Sequence, residues 1–364
     1  MSRRIHAFPA WEQNPYLNML YLAARAQGWT VEGSKTVSSL VRESRLLTNG
    51  DVLHIHWTSP VLHHSESHPE AISALARFAQ LLDALRDAGV HIVWTVHNAF
   101  AHDAKYPDLE VELAELLAAK SDLIIQLNPH TAQAVARHYA LPSNKLVTLR
   151  HASYSGIYAT APTQREARKR LGISASASVV GFVGQMRAYK GIPTLLQAAD
   201  LAKARVEELT LVLAGKTPRE DIARIEQDLP ADVPVIRDHS FIDDADLGTL
   251  FSACDLLVFP YEKILNSGSV LLSATFSRPC VLPAEPHLVS QYRGQSWVSF
   301  YEPGPEAPSR LAEAIPRALA KGEEARSSAR RFAAEYTTFQ MALEYVELLE
   351  QLPARLAPVS EVGK

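Results

Sequence analysis

The sequence predicts an α/β protein made of two successive units, each a parallel sheet flanked by helices. Three observations carry that expectation. The chain is 364 residues long, which suits two domains of ordinary size. In both halves, short apolar runs alternate with amphipathic stretches of helical period. Between the halves lies a stretch that loses periodicity and gains small and polar residues. With 47% hydrophobic and 21% charged residues and a mean hydropathy of -0.06, there is apolar material for two cores and no sign of wholesale disorder.

In the first half, a strand near residue 5 is followed by strands at 52–56, 91–96 and 123–126, with helices at 71–88 and 109–119 between them. Alternation of this kind is met by parallel strands with helical crossovers. The second half repeats it, with strands at 179–183, 210–214, 233–237 and 256–259 and helices at 192–204, 244–253 and 268–276. These readings place an N-terminal domain at 1–155, a linker at 156–175 and a C-terminal domain at 176–335. A long amphipathic helix is expected over 327–352, its part from 336 onward standing apart from the second domain, with Pro353 stopping it and 353–364 forming a disordered tail.

A formal net charge of -4 argues against a nucleic-acid binder, which would carry a basic excess on one face. Cys254 and Cys280 lie far apart in apolar stretches, as buried thiols of a reducing compartment do. The N-terminus has no signal-peptide h-region and no run approaches a membrane span, so a cytoplasmic chain is expected, meeting a membrane only peripherally.

In open α/β sheets, ligands bind beyond the carboxyl ends of the strands. The expected strand at 179–183 runs into Gly184-Gln185-Met186-Arg187-Ala188-Tyr189-Lys190-Gly191. Arg187 offers a planar fork for bidentate phosphate contact and Lys190 a compact charge. The strand at 256–259 runs into Tyr261-Glu262-Lys263-Ile264-Leu265-Asn266-Ser267-Gly268-Ser269, where a Ser-Gly-Ser turn opening a helix presents backbone N–H groups and hydroxyls to an anion. Taken alone, the first motif is equally a solvated helix entry and Ser267 an ordinary N-cap. Two anion sites after strands of one domain point to a diphosphate cradle, with Gly184, Tyr261, Glu262 and Asn266 beside it. Lys216, after the strand at 210–214, is a third cation. Glu262 reads either as a nucleotide contact or as one half of a solvated salt bridge with Lys263.

These residues resemble those of a glycosyltransferase of the GT-B type related to family 4, most similar to family 94, the GDP-mannose:glycolipid β-1,4-mannosyltransferases of xanthan-type exopolysaccharide assembly. The matching pieces are Asn14-Pro15-Tyr16-Leu17, Asp51-Val52-Leu53-His54-Ile55-His56-Trp57, Thr95-Val96-His97-Asn98 with Ala101-His102-Asp103, Arg187-Ala188-Tyr189-Lys190-Gly191, and Asn266-Ser267-Gly268-Ser269 through Arg278-Pro279. The resemblance implies two Rossmann-like domains facing across a cleft, a C-terminal helix that returns to the first domain, a nucleotide-sugar donor in the second domain, and no metal or other cofactor. Retaining family 4 members carry two glutamates eight residues apart where this chain has Leu265 and Ser273. The resemblance thus implies an inverting hexosyltransferase.

An inverting displacement needs a base on the acceptor hydroxyl, and the first half is expected to supply it. Asp103 and His97 are the candidates, with a helix cap and a hydrogen-bonded strand-end residue as their respective alternatives. Glu12, Asn14, Tyr16, His56, Trp57 and Asn98 are expected around the acceptor, a glycolipid or saccharide; Tyr16 and Trp57 could stack on sugar faces or belong to the core. His54 and His56 share a strand face, but their spacing does not argue for a metal site. Residues 35–47 place Val37, Leu40, Val41 and Leu47 among Lys35, Arg42 and Arg45, either as a membrane-surface segment or as a helix packed on the sheet. A retaining transferase with a UDP-sugar donor and an inactive nucleotide-sugar-binding module are the competing readings. Against a dinucleotide-dependent enzyme stands the lack of any glycine in residues 5–10.

Overall fold

The computed structural model describes residues 3–11, 14–101 and 104–356, with side chains through Leu352. The chain divides into two compact units, one comprising Met1–His151 with Thr338–Lys364 and the other Ala152–Thr337. The first holds six parallel strands, β1 (Arg4–Phe8), β2 (Thr30–Gly33), β3 (Val52–Ile55), β4 (His91–Val96), β5 (Leu123–Gln126) and β6 (Leu146–Thr148), in the order β2-β1-β3-β4-β5-β6. The second holds β7 (Ser178–Val183), β8 (Leu209–Ala214), β9 (Val235–Asp238), β10 (Leu256–Val258), β11 (Cys280–Pro283) and β12 (Val298–Tyr301), also parallel, in the order β12-β11-β10-β7-β8-β9.

Both orders reverse direction about their first strand, β1 or β7. In the first unit the chain steps from β1 out to β2 and returns to β3 on the other side; in the second it runs from β7 to β9 and returns to β10. The loops after β1 and β3, and those after β7 and β10, therefore flank a topological switch point, where α/β sheets leave a crevice for ligands. Central strands are buried throughout because helices cover both faces: every residue of β3 and β8 is buried. Cys254 and Cys280 are free and buried, as expected, and burial pushes the Cys254 thiol up to about 12.

Two boundaries differ from expectation. The stretch expected to be a linker contains a helix, Gln164–Leu171, that belongs to the second unit. Its start is a reciprocal capping box between Thr163 and Glu166, and its end is Gly172 in the left-handed region. Arg168 ties it down, donating to Asp255 at 2.6 Å and to the Ala253 carbonyl at 3.1 Å. The long final helix is two helices, Gly322–Glu335 and Thr338–Leu356, separated at Tyr336 by extended backbone. Pro353 does not stop the second, which continues through it to Leu356; of the expected tail, residues 357–364 lie outside the described residues. The helix Thr338–Leu356 packs on Pro15–Leu20 and Leu22–Ala26 of the first unit, the return that the resemblance implied. No helix of the described residues is long and apolar enough to cross a membrane.

Candidate active site

The switch point of the second unit is where its cations and hydroxyls meet. β7 ends at Val183, and the chain turns through Gly184 into a short 3-10 helix, Ala188–Lys190, before the helix Ile192–Ala202. β10 ends at Val258 and leads to the helix Gly268–Thr275. The two loops interlock. The Glu262 N–H donates to the Tyr189 carbonyl at 3.0 Å, and the Lys190 ammonium stands 3.9 Å from the centroid of the Tyr261 ring, a cation–π contact. Gly191, at φ 67°, lies so close to the Pro260 carbonyl that a Cβ would collide with it. A Cβ on Gly184 would come within 3.1 Å of Ser269 Oγ, so the first glycine after β7 faces the first turn of the helix after β10. The loop after β8 joins them: the Met186 N–H donates to the Lys216 carbonyl at 3.0 Å, and a Cβ on Gly215 would overlap the Gly184 carbonyl.

Ser267 occupies the N-cap position of Gly268–Thr275 but makes no side-chain capping bond; its Oγ lies 3.2 Å from Tyr261 Oη. The ordinary N-cap reading of Ser267 therefore fails. Arg187 is exposed, with Nε donating to Gln185 Oε1 at 3.3 Å. Glu262 and Lys216 are also exposed, while Asn266, Ser267, Gly268 and Ser269 are half-buried. Gly184, Arg187, Lys190, Lys216, Tyr261, Glu262 and Asn266 through Ser269 thus belong to loops on one edge of adjacent strands. An anion there would meet helix N–H groups, hydroxyls and cations together. Leu265 and Ser273 are buried, and Ser273 Oγ donates to the Arg278 carbonyl at 2.8 Å.

The switch point of the first unit carries a chain of histidines. His56 Nδ1 lies 3.1 Å from His97 Nε2, and His56 Nε2 lies 2.6 Å from Tyr21 Oη. Tyr21 Oη and Tyr345 Oη stand 2.9 Å and 2.8 Å from His54 Nδ1, and His54 Nε2 is 2.8 Å from Thr95 Oγ1. All three imidazoles are buried. Burial holds each well below the ordinary histidine range, and a neighbouring imidazole lowers each further: His97 for His54, His54 for His56, and His56 with His151 for His97. Rings rather than ions are buried here because a neutral imidazole can be satisfied by hydrogen bonds alone.

This chain corrects two acceptor assignments. His56 is 1% exposed with both ring nitrogens engaged, so it acts on His97 rather than on a ligand. Tyr16 is 2% exposed and sets its ring edge-on to His97 at 5.1 Å, which makes it a core residue. Asn14 caps Pro15–Leu20, its Oδ1 accepting from the Tyr16 N–H at 3.0 Å; that oxygen is therefore occupied. Trp57 stacks on His97 at 4.3 Å, and Trp11 stacks on Trp57 at 4.6 Å. Asn98 is half-buried just beyond β4. Asp103 and Glu12 lie outside the described residues. Sequence reasoning missed Trp11, Tyr21, Thr95 and Tyr345. The cue for Tyr21 was the pair of histidines on one strand face, which needs a hydroxyl partner when buried.

Known proteins are similar to this chain in sequence and in fold. Residues 177–321 match the family model described as glycosyl transferases group 1. Over 300 residues the chain is 27% identical to a GDP-mannose:glycolipid 4-beta-D-mannosyltransferase of Xanthomonas campestris pv. campestris, covering 81% of this chain and 77% of that protein. Among solved structures, Anabaena HepE in complex with UDP and glucose is similar with a TM-score of 0.73 at 15% identity, covering 96% of this chain and 100% of that one. Sucrose-phosphate synthase from Thermosynechococcus elongatus is similar with a TM-score of 0.67 at 17% identity, covering 97% and 100%. The chain thus has the GT-B fold, and residues 177–321 of its second unit match the model of the group 1 glycosyl transferases.

Proposed function

We propose that this chain is a glycosyltransferase that moves a hexose, mannose from GDP-mannose, with inversion to a β linkage onto a glycolipid or saccharide acceptor in exopolysaccharide or glycoconjugate synthesis. The observation that carries the reading is the interlocked pair of loops after β7 and β10, with Arg187, Lys190 and the entrance of Gly268–Thr275 on one edge. The 27% identity to a mannosyltransferase of that donor supports the choice of sugar nucleotide. Buried Leu265 and Ser273, at the positions matched to the glutamate pair of retaining relatives, support inversion.

In this reading the acceptor oxygen attacks the anomeric carbon while a base removes its proton, and the bond to the diphosphate breaks on the opposite face. Charge then grows on the leaving diphosphate. Arg187, Lys190 and the N–H groups of Gly268 and Ser269 stabilise it there, so no metal or other cofactor is needed. The base comes from the segment holding His97 and Asp103. His97 is neutral at pH 7, since burial depresses its proton affinity; that leaves one ring nitrogen unprotonated but makes it a weak base, and a carboxylate at 103 is the alternative. In Asp103→Asn, a loss of turnover larger than in His97→Gln would assign the proton to the carboxylate; the reverse order would assign it to the imidazole.

We also propose cytoplasmic residence with peripheral contact at the inner membrane face. In 35–47, Leu40 and Leu47 are buried, whereas Val41 and Leu46 are exposed beside Arg42 and Arg45, a mixture suited to an anionic lipid surface. The reading of donor and stereochemistry is tested by NMR of the product anomer formed from GDP-mannose or UDP-sugars. A β-mannoside from GDP-mannose supports it; an α product, or turnover with UDP-sugars alone, overturns it.

A further inference from the structure

A buried phenol reaches the entrance of the helix Gly268–Thr275 from its flank. Tyr154 belongs to the second unit and is 6% exposed. Its backbone N–H donates to Thr275 Oγ1 at 3.0 Å, and that hydroxyl donates in turn to the Leu271 carbonyl at 2.8 Å, so the residue is fastened to the last turn of the helix. Its own hydroxyl lies at the other end, 2.7 Å from the position that a Cβ on Gly268 would take. The phenol therefore runs along the helix and delivers its O–H to the first residue. Its ring is steadied by Tyr158 at 5.8 Å, itself packed on Phe276 at 6.2 Å. Gly268 is what admits the hydroxyl, because the nearest ring carbon of Tyr154, at 3.7 Å from the same position, would be an ordinary contact. A phenylalanine would fill the same space and would not require glycine at 268; the oxygen is the part for which the entrance makes room. Burial pushes the Tyr154 phenol well above its ordinary range, so it keeps its proton and meets an anion as a donor. Beside it stand the half-buried Ser267 and Ser269, and Ser269 Oγ lies against Gly184 of the facing loop.

We propose that the Tyr154 hydroxyl is a further element of the diphosphate cradle, donating a hydrogen bond to a non-bridging oxygen of the β-phosphate of the nucleotide donor. The inference rests on the reading of the loops after β7 and β10 as the donor site, and it adds a contact that lies outside both sequence motifs. When the bond between the anomeric carbon and the diphosphate oxygen breaks, its electron pair stays on the diphosphate. The hydrogen bond from Tyr154 strengthens as that charge grows, while the proton remains on the phenol and the nucleoside diphosphate leaves as an anion.

The test is calorimetric titration of the full chain with GDP and with GMP, in the wild-type protein and in Tyr154→Phe. GMP carries the α-phosphate without the β-phosphate, so the ratio of the two affinities isolates the contact. Tyr154→Phe keeps the ring, and it is expected to weaken GDP about tenfold while leaving GMP and the melting temperature unchanged. An unchanged ratio, whether both nucleotides lose affinity or neither does, would overturn the contact and leave the donor reading standing. Gly268→Ala checks the placement independently. Its cost in melting temperature should be smaller in the Tyr154→Phe background than in the wild-type protein, because the oxygen that a Cβ meets is gone; equal costs would show that the hydroxyl does not occupy the entrance and would overturn the proposal. A wild-type protein that binds no GDP would instead refute the donor reading, and this contact with it.

Discussion

His97 stands at the end of a line of side chains running through His56, Tyr21 and His54, and every imidazole in that line is neutral because it is buried. Each binds its proton less readily folded than at the ordinary value of 6.5, so below that value the unfolded chain takes up more protons than the folded one. Stability from keeping the rings neutral is fully present above pH 6.5 and is lost as pH falls through it. The melting temperature should fall between pH 7 and pH 5, and less steeply in His54→Gln; identical slopes in the two proteins would contradict the buried neutral chain. Residues differed in how far the sequence revealed them. Arg187 and Lys190 stand out in the sequence as cations just past a strand, and in the structure they follow β7. His56 was misread as a ligand contact, because alternation along a strand says which residues share a face and not whether that face is buried under Tyr21 and Tyr16.

The helix Gln164–Leu171 shows what was hidden at the scale of elements. Its signals were present: a Thr-x-x-Glu box at 163–166 and Gly172 as C-cap. A run of charged residues at 165–170 masked its apolar face, which is little more than Ala167. Its hold on the second unit comes instead from Asp255, which accepts from Arg168 at 2.6 Å, from Arg326 at 2.8 Å and from the Val179 N–H at 2.8 Å. Asp255→Ala leaves two guanidinium groups without their carboxylate and should destabilise the second unit by about 3–5 kcal/mol. Thr163→Ala, which removes only the cap, should cost about 1 kcal/mol. Denaturant unfolding checks both, and equal effects would show that Asp255 does not clamp the helix. The strands β2, β6 and β12 escaped for a related reason: they are three or four residues long and half-exposed or mixed in burial, without the sustained alternation by which a strand is recognised.

Across the whole molecule, the two parallel sheets were legible from alternation alone, while the return of the last helix to the first unit came only from family resemblance. An amphipathic helix carries no mark of which sheet it will cover. Here the mark is Tyr345, whose hydroxyl reaches His54 at 2.8 Å from helix Thr338–Leu356. Tyr345→Phe keeps the ring and removes that bond, and should lower the stability of the first unit by about 1 kcal/mol while leaving GDP binding in the second unit unchanged. A loss of GDP affinity in this variant would show that the final helix serves the donor site as well.

The diphosphate cradle after β7 and β10 is what the proposed donor chemistry depends on. Calorimetric titration of GDP into the wild-type protein and into Arg187→Ala with Lys190→Ala tests it directly. Removing two charge-assisted contacts should weaken GDP at least about a hundredfold, at roughly 1.5–3 kcal/mol each, with the melting temperature unchanged. GDP binding of equal strength in a folded double variant would contradict the assignment of the donor phosphates to these loops.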